Sequence, residues 1–394
     1  MNRLFGPIPR AKTLSVMPTY QCTAACTHCG TYSNPKQTTW LDADKMLAAI
    51  EQALDSDYKV VVFTGGEPTL AGEDLLRGIR LVDSRGVCSR VVTNAWWATD
   101  EAAADSKLAE LVSAGLKEIN FSTGDQHARF VPVDNIMRGA RAAAKIPLKT
   151  IVIMMETVEE RTITKETILQ HPEYKRIQQE FPRAKVRIVE SPWMPLSPRM
   201  VTKYPPGMAV SKTNLPIHTG CSSCLGTTTV QADGRIAACC GLGMRSIPEL
   251  QLGHVRDTTI READERGEND FLKRWIRVEG PEKILAWASR HDPEIVWEDM
   301  YAHRCQSCMR LYKDPKVRSV IREHHQEKIP DVIFSEWLLY HYEQAGPAAD
   351  ESVSGEGYSD AAAGPSACLP TADLVTIAPI QAAPEYAAAA PAPM

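Results

Sequence analysis

The sequence predicts an α/β protein, a partial (β/α)6 barrel followed by a hairpin-plus-helix extension. Over residues 10–200, six short apolar segments alternate with helical segments, which is the pattern of parallel β-α units. The strand-like segments are so apolar that both faces of their sheet should be covered. Beyond residue 215 the alternation stops and cysteine-bearing segments begin. An open barrel of six units is the simplest architecture for the first part.

The six strands are predicted from short runs rich in β-branched residues. They fall at residues 14–19, 59–65, 89–94, 117–123, 149–155 and 185–191. The helices between them are predicted from apolar residues at helical spacing, with glycines that close two of them. They fall at residues 41–54, 73–86, 100–115, 133–146 and 156–181, the last with a break at His171-Pro172.

The second part of the chain has a different pattern. Residues 192–220 are rich in Pro, Ser and Thr and are predicted to be a linker. Asp233-Gly234 separates two strand-like runs, which is a strong hairpin signal. A helical stretch at about 257–298 and a charged helix at about 313–327 follow. We therefore expect a barrel domain at 10–200 and an extension at 215–330.

The last segment, residues 345–394, is dominated by Ala, Pro, Gly and Ser. Such a composition buries too little apolar surface to offset the entropy of ordering the chain. The sequence therefore predicts a disordered tail.

Composition excludes some functions. The net charge is −5 and no basic block stands out, so nucleic acid and acidic membranes are not expected as partners. No signal peptide is visible, and no apolar run approaches the roughly 20 residues of a membrane helix. We expect a cytoplasmic protein. In a reducing compartment, clustered cysteines among the eleven present favour metal or cluster binding over disulfides.

Three cysteines follow the first strand directly. Cys22, Cys26 and Cys29 lie on one loop, at the carboxyl edge of the sheet where parallel α/β folds build their sites. Three closely spaced thiolates suit the irons of an iron–sulfur cluster, and three ligands leave one iron of a four-iron cube open. The alternatives are unligated core cysteines and a zinc site. A zinc site needs a fourth ligand, and His28, beside Cys29, is poorly placed to be one.

Polar and glycine residues follow the next strands. Gly65, Gly66, Glu67 and Pro68 end the second strand, where the glycines allow close backbone approach and the carboxylate can pair with an ammonium. A tight turn is the alternative. Asn94, Ser122 and Asp125 end the third and fourth strands and either face the same site or cap turns and helices.

Together, C-x3-C-x2-C and Gly-Gly-Glu-Pro resemble the motifs of the radical S-adenosylmethionine (radical SAM) superfamily. The resemblance implies a [4Fe–4S] cluster on Cys22, Cys26 and Cys29 whose open iron binds S-adenosylmethionine (SAM). In that family an electron from the cluster cleaves SAM to a 5′-deoxyadenosyl radical, which removes a hydrogen atom from substrate. An external electron donor such as flavodoxin or ferredoxin is implied. The residues implied to contact SAM or substrate are Gly65, Gly66, Glu67, Pro68, Asn94, Ser122 and Asp125.

A second set of six cysteines follows the barrel, namely Cys221, Cys224, Cys239, Cys240, Cys305 and Cys308. Four thiolates suffice for a closed cluster or a structural zinc. The layout resembles the SPASM/twitch extensions of radical SAM enzymes, and the shorter twitch form implies one auxiliary [4Fe–4S] cluster. We predict the ligands Cys221, Cys239, Cys305 and Cys308, with Cys224 as the alternate to Cys221 and Cys240 as the alternate to Cys239.

Adjacent side chains on a strand point to opposite faces, so Cys239 and Cys240 are not expected to serve the same cluster. The cysteine that is left over is either a packed thiol or a functional one. The functional hypothesis makes Cys240 a hydrogen-atom donor to a substrate radical.

The substrate remains open at this point. SPASM/twitch proteins often modify peptides, so our leading hypothesis is crosslinking, epimerisation or oxidation of a ribosomally made peptide. Only about twenty residues precede the triplet, and a separate protein would then supply peptide recognition. One alternative is a radical SAM dehydrogenase of a small molecule such as an amino sugar alcohol. Another is a non-catalytic iron–sulfur or zinc protein that serves as a sensor or scaffold.

Overall fold

A computed structural model describes residues 12–56, 58–195 and 201–345. This part of the chain contains one nine-stranded sheet in the order β6-β5-β4-β3-β2-β1-β7-β8-β9. The first seven strands in chain order pair in parallel, and only the last two contacts are antiparallel. The sheet does not close, so the predicted partial barrel is confirmed. The strands are β1 Lys12–Val16, β2 Tyr58–Phe63, β3 Cys88–Thr93, β4 Glu118–Thr123, β5 Thr150–Thr157, β6 Val186–Pro192, β7 Thr227–Val230, β8 Arg235–Ala237 and β9 Gln251–His254.

Thirteen α-helices occur in the described residues, most of them begun by a side-chain cap. Asp42 caps the first helix through Lys45 N at 3.0 Å, and Asp100 caps the third through Ala103 N at 2.8 Å, each satisfying a free amide of the first turn. The helices are α1 Ala43–Asp55, α2 Glu73–Ser84, α3 Glu101–Ser113, α4 Asp125–Ala128, α5 Val133–Ala144, α6 Lys165–Gln170, α7 Pro172–Glu180, α8 Ile260–Glu268, α9 Phe271–Glu279, α10 Pro281–His291, α11 Arg304–Lys313, α12 Pro315–His324 and α13 Ile329–Ala345.

The barrel strands separate an apolar layer from a lumen of mixed polarity. Leu14, Val61 and Ile119 are fully buried in the main apolar cluster. Side chains alternate along a strand, so Ser15 and Asn120 face the other way and line the inner cavity, where Val62 and Val92 also lie. The strands therefore pack one apolar face against the helices and place both polar and apolar groups inside the barrel.

The hairpin of the extension belongs to the barrel sheet. β7 pairs in parallel with β1, with Ser15 opposite Thr229, and β7 and β8 form the predicted hairpin. Beneath it, Tyr58 donates to Thr228 Oγ1 at 2.8 Å, and Lys12 pairs with Asp264 of α8 at 2.6 Å. The cysteines of the extension are thus tied to the first barrel strand.

Several predicted elements differ from the structure. The helix expected from residue 156 begins at Lys165, because β5 continues to Thr157; the break at His171-Pro172 is confirmed. The stretch at 257–298 is three helices, since Asn269-Asp270 and Gly280-Pro281 end and restart them.

Two further differences concern the end of the chain. Cys305 and Cys308 lie on α11, a helix that was not predicted over residues 304–312. Helix α13 was not predicted, because its apolar residues form no single stripe. The predicted tail, apart from residue 345, lies outside the described residues, as do residues 10, 11 and 196–200. Among the described helices, none has the length and apolar character needed to cross a membrane.

Candidate functional site

A cavity of about 780 Å³ fills the barrel lumen and opens at the carboxyl edge of the strands. It brings together side chains from the loops after β1, β2, β3, β4 and β7–β8. Most of the predicted site residues line it. These are Cys22, Cys26, Cys29, Gly65, Gly66, Glu67, Asn94, Ser122 and Cys240.

The three cysteines of the first loop are free thiols at the mouth of this cavity. Cys22 Sγ accepts from Ala24 N at 3.4 Å, and Cys29 Sγ accepts from Ser33 N at 3.3 Å. Burial raises the pKa of Cys22 and of Cys26 to about 12, so in the protein without iron these groups hold their protons. Cluster binding would replace those protons with iron. The donor set fits three ligands of an iron–sulfur cluster.

The glycines after β2 are required by the cysteine loop. Gly66 N donates to Thr19 O and Glu67 N donates to Gln21 O, both at 2.8 Å. A Cβ atom at Gly66 would lie 2.0 Å from Gln21 O, and Gly65 has φ +117°. We expected the glycines to admit a ligand. The structure shows that they first admit the backbone that carries Cys22.

Glu67 is buried and holds the ends of β2 and β3 together. Its Oε1 accepts from Thr69 Oγ1 at 2.6 Å and Thr93 Oγ1 at 2.8 Å, and its Oε2 accepts from Asn94 N at 2.9 Å. Burial raises the pKa of this carboxyl, although the hydrogen bonds oppose the shift. The role seen in the structure is positioning of the loops, and pairing with an ammonium stays a prediction. Pro68 begins a short 3-10 turn beside it.

The remaining predicted residues divide in two. Asn94 Nδ2 lies 3.6 Å from Cys22 Sγ and donates to Thr23 Oγ1 at 3.0 Å, and Ser122 lines the cavity. The carboxylate of Asp125 instead accepts from the backbone of Thr162 and Ile163, at 2.8 and 2.9 Å. Contact of Asn94, Ser122 and Asp125 with SAM stays a prediction.

A cluster of titratable side chains lies beside the triplet, and the sequence pattern did not predict it. Glu156, at the end of β5, bonds His127 Nδ1 at 2.6 Å and accepts from Gln126 N at 2.5 Å. Burial would raise the pKa of Glu156, but the bond to His127 and its charge lower it. His28 stands 5.3 Å from His127, ring to ring, and burial lowers its pKa to about 4. Glu156 directly follows the strand predicted at 149–155. A polar residue at the end of a predicted strand is the sequence signal that could have identified it.

The second cysteine set is also assembled. The structure brings five free, buried or half-buried thiols together, and burial raises the pKa of each; they are Cys221, Cys224, Cys239, Cys305 and Cys308. A Cβ atom at Gly241 would lie 2.9 Å from Cys305 Sγ and 3.6 Å from Cys239 Sγ. This donor set fits a four-thiolate site with one thiol to spare.

Cys240 borders both regions of the protein. It lines the barrel cavity together with the first triplet, and its Sγ lies 3.6 Å from Ser223 Oγ. Its charge also acts on Cys239 and Cys305, so it lies next to the second set. Because β8 ends at Ala237, Cys239 and Cys240 lie in the loop after the strand, where the strand alternation used in the prediction does not apply. The role of Cys240 as a hydrogen donor stays a prediction.

Comparison with known proteins gives one family match. Residues 16–155 match the model of the radical SAM superfamily. No curated protein matches the sequence.

Solved structures with a similar fold include three of interest. "Native anSMEcpe with bound AdoMet and Cp18Cys peptide" is 15% identical, with a TM-score of 0.48, over 83% of this chain and 99% of that chain. "BtrN in complex with AdoMet and 2-DOIA" is 13% identical, with a TM-score of 0.41, over 70% and 90%. Streptococcus suis SuiB bound to precursor peptide SuiA is 13% identical, with a TM-score of 0.39, over 67% and 66%.

Proposed function

Since residues 16–155 are a radical SAM domain and the protein is therefore a radical SAM enzyme, we propose that it removes a hydrogen atom from a peptide held in the barrel cavity. A radical SAM domain implies SAM and a [4Fe–4S] cluster, which together supply a carbon radical when bound. The observation that carries the proposal is that one cavity is lined by the Cys22–Cys29 triplet and by the separate thiol of Cys240.

The residues of this chain prepare the mouth of the cavity. Cys22, Cys26 and Cys29 would hold the cluster. Asn94 Nδ2 contacts Cys22 Sγ at 3.6 Å, and Glu67 N donates to Gln21 O at 2.8 Å. Glu67 Oε2 also accepts from Asn94 N at 2.9 Å. These contacts within the protein favour a preorganised loop.

The buried thiols of the extension would hold an auxiliary [4Fe–4S] cluster. We assign Cys221, Cys239, Cys305 and Cys308 as its ligands. Cys224 is the spare thiol, because its Sγ donates to Lys273 O at 3.5 Å. When bound, a second cluster would supply an acceptor for the one electron that a substrate radical loses as it is oxidised, which a cross-linking or oxidising reaction requires.

Cys240 offers a second outcome, epimerisation. A carbon radical on the substrate would take the hydrogen atom of the Cys240 thiol, forming a C–H bond and leaving a sulfur radical. One electron from an external donor such as flavodoxin or ferredoxin, with a proton from solvent, would restore the thiol. Removal of hydrogen on one face and return on the other inverts the carbon centre. A separate protein would deliver the peptide.

The test begins with full-length protein reconstituted without oxygen. We expect about eight irons per chain for two cubane clusters, and release of 5′-deoxyadenosine from SAM when dithionite is added. Cys26→Ala should bind about four irons per chain and release no 5′-deoxyadenosine. Zinc in place of iron, or no release from the intact protein, would contradict the proposal. Stimulation of release by an amino sugar library and not by a peptide library would favour the small-molecule dehydrogenase.

A further inference from the structure

Inside the barrel, β3 and β4 present polar side chains to the lumen below the cysteine loop. Glu118 and Asn120 are two residues apart on β4 and so share one face. Arg90 lies opposite Glu118 in the register of β3 and β4. Arg90 and Asn120 both line the cavity. This wall of the lumen has no part in holding the triplet.

The charges on this wall cancel. Arg90 Nε donates to Glu118 Oε2 at 2.7 Å, and Nη2 lies 2.5 Å from the same oxygen. Both side chains are buried. The carboxylates that line the cavity, Glu67 and Glu156, are bonded as described above. A charged substrate group entering here would lose its hydration without gaining a counter-charge, which is costly.

The cavity also contains buried polar atoms that carry no charge. Asn120 is 1% exposed and Ser15 is 2% exposed, yet Asn120 Oδ1 and Ser15 Oγ have no hydrogen-bond partner among the described residues. Buried polar atoms are normally bonded, and each one left alone costs stability. Two such atoms in one cavity indicate a built site for a polar group.

Arg90 and Asn120 lie on neighbouring strands. Asn120 pairs with Val92, two residues along β3 from Arg90, so the Cα atoms of Arg90 and Asn120 lie about 8 Å apart by strand spacing. Ser15 lies on β1, separated from Asn120 by β2 and β3. The wall therefore offers the Asn120 acceptor beside the Arg90 guanidinium, and a separate hydroxyl at Ser15.

We propose that Arg90 and Asn120 bind an uncharged amide of the substrate, a peptide bond or a carboxamide side chain. An amide presents one N–H donor and one carbonyl acceptor in a single plane. Its N–H can donate to Asn120 Oδ1 while its carbonyl accepts from the Arg90 guanidinium. An ammonium would need a free carboxylate, and Glu118 is taken by Arg90. The inference rests on the proposed function and names its substrate class.

The test uses saturation-transfer difference NMR on the reconstituted full chain with SAM. Three probes are compared: neutral N-acetylglycinamide, the succinate dianion and the 1,4-diaminobutane dication. We expect the amide to bind and the two charged probes not to bind. Asn120→Leu should weaken amide binding about tenfold, the value of one lost hydrogen bond in a buried site. Ile119→Val, on the opposite face of the same strand, should leave it unchanged.

Asn120→Asp separates recognition from folding. This variant keeps the shape of the side chain and adds a negative charge. It should therefore no longer bind N-acetylglycinamide, and it should bind 1,4-diaminobutane. The inference is overturned if the wild type binds no amide, prefers either charged probe, or keeps its amide affinity in Asn120→Leu. Release of 5′-deoxyadenosine is measured on the same samples. Its absence alongside normal amide binding would overturn the proposed function and not this inference.

Discussion

The backbone N–H of Asn94 donates to the buried carboxylate of Glu67, with 2.9 Å between Asn94 N and Glu67 Oε2. The side-chain amide of the same Asn94 reaches Cys22 Sγ at 3.6 Å. One residue therefore links the Gly-Gly-Glu-Pro loop after β2 to the first cysteine of the triplet. Cys22 and Asn94, some 70 residues apart in sequence, therefore belong to one structural unit at the carboxyl edge of the sheet.

Glu67→Gln should weaken this unit. In the wild type, the Glu67 carboxylate accepts hydrogen bonds from Thr69, Thr93 and Asn94 N. A glutamine amide places its own N–H group opposite one of these donors. At least one buried donor then lacks an acceptor, which lowers the free energy of unfolding by about 1–3 kcal/mol. Urea unfolding should show that loss, and the iron content of the N-terminal site should fall. Glu73→Gln, an exposed carboxylate on α2 paired with Arg80, is the control and should change neither. An unaltered unfolding curve in Glu67→Gln would remove its positioning role.

Gly66→Ala should prevent correct seating of the cysteine loop. The new methyl group would lie 2.0 Å from Gln21 O, so the loop must move. We expect loss of about four irons per chain by colorimetric iron analysis. Gly86→Ala is the matched control. Gly86 has φ +67° with open space around it. Alanine there should therefore lower the free energy of unfolding by about 1–2 kcal/mol and leave the iron content unchanged.

Cys221→Ala and Cys224→Ala should differ in iron content. The Cys224 thiol donates to Lys273 O, whereas Cys221 lies beside Arg304 and among the other buried thiols. We expect about four irons per chain in Cys221→Ala and about eight in Cys224→Ala. Electron paramagnetic resonance of the reduced proteins identifies which cluster remains. The reverse result would assign Cys224 as the ligand.

Cys240→Ala should separate radical formation from its outcome. Cys240 lines the barrel cavity and is not one of the four ligands that we assign to the auxiliary cluster, so iron content and 5′-deoxyadenosine release should stay at the wild-type level. With a substrate in deuterium oxide, the wild type should place one deuterium on the product carbon by way of the exchangeable thiol. Loss of that label in the variant is expected. A label that persists would show that another group returns the hydrogen.

Local sequence pattern determined much of this protein. Short β-branched runs and helical periodicity predicted the six barrel strands and the helices between them, because side-chain period reports which face is covered. The spacing of Cys22, Cys26 and Cys29 and the glycines after β2 predicted the site edge. The Asp233-Gly234 hairpin was predicted from turn chemistry alone.

Tertiary structure decided the rest, because it depends on which distant segments meet. The sequence did not show that β7 joins the sheet beside β1, that Glu156 meets His127, or that Arg90 neutralises Glu118. It did not show that the backbone of Gln21 packs against Gly66; contact of Gly66 with SAM stays a prediction. It also missed α13, whose apolar residues surround the helix. Contacts between residues far apart in sequence leave no local period to read, and only the folded chain reveals them.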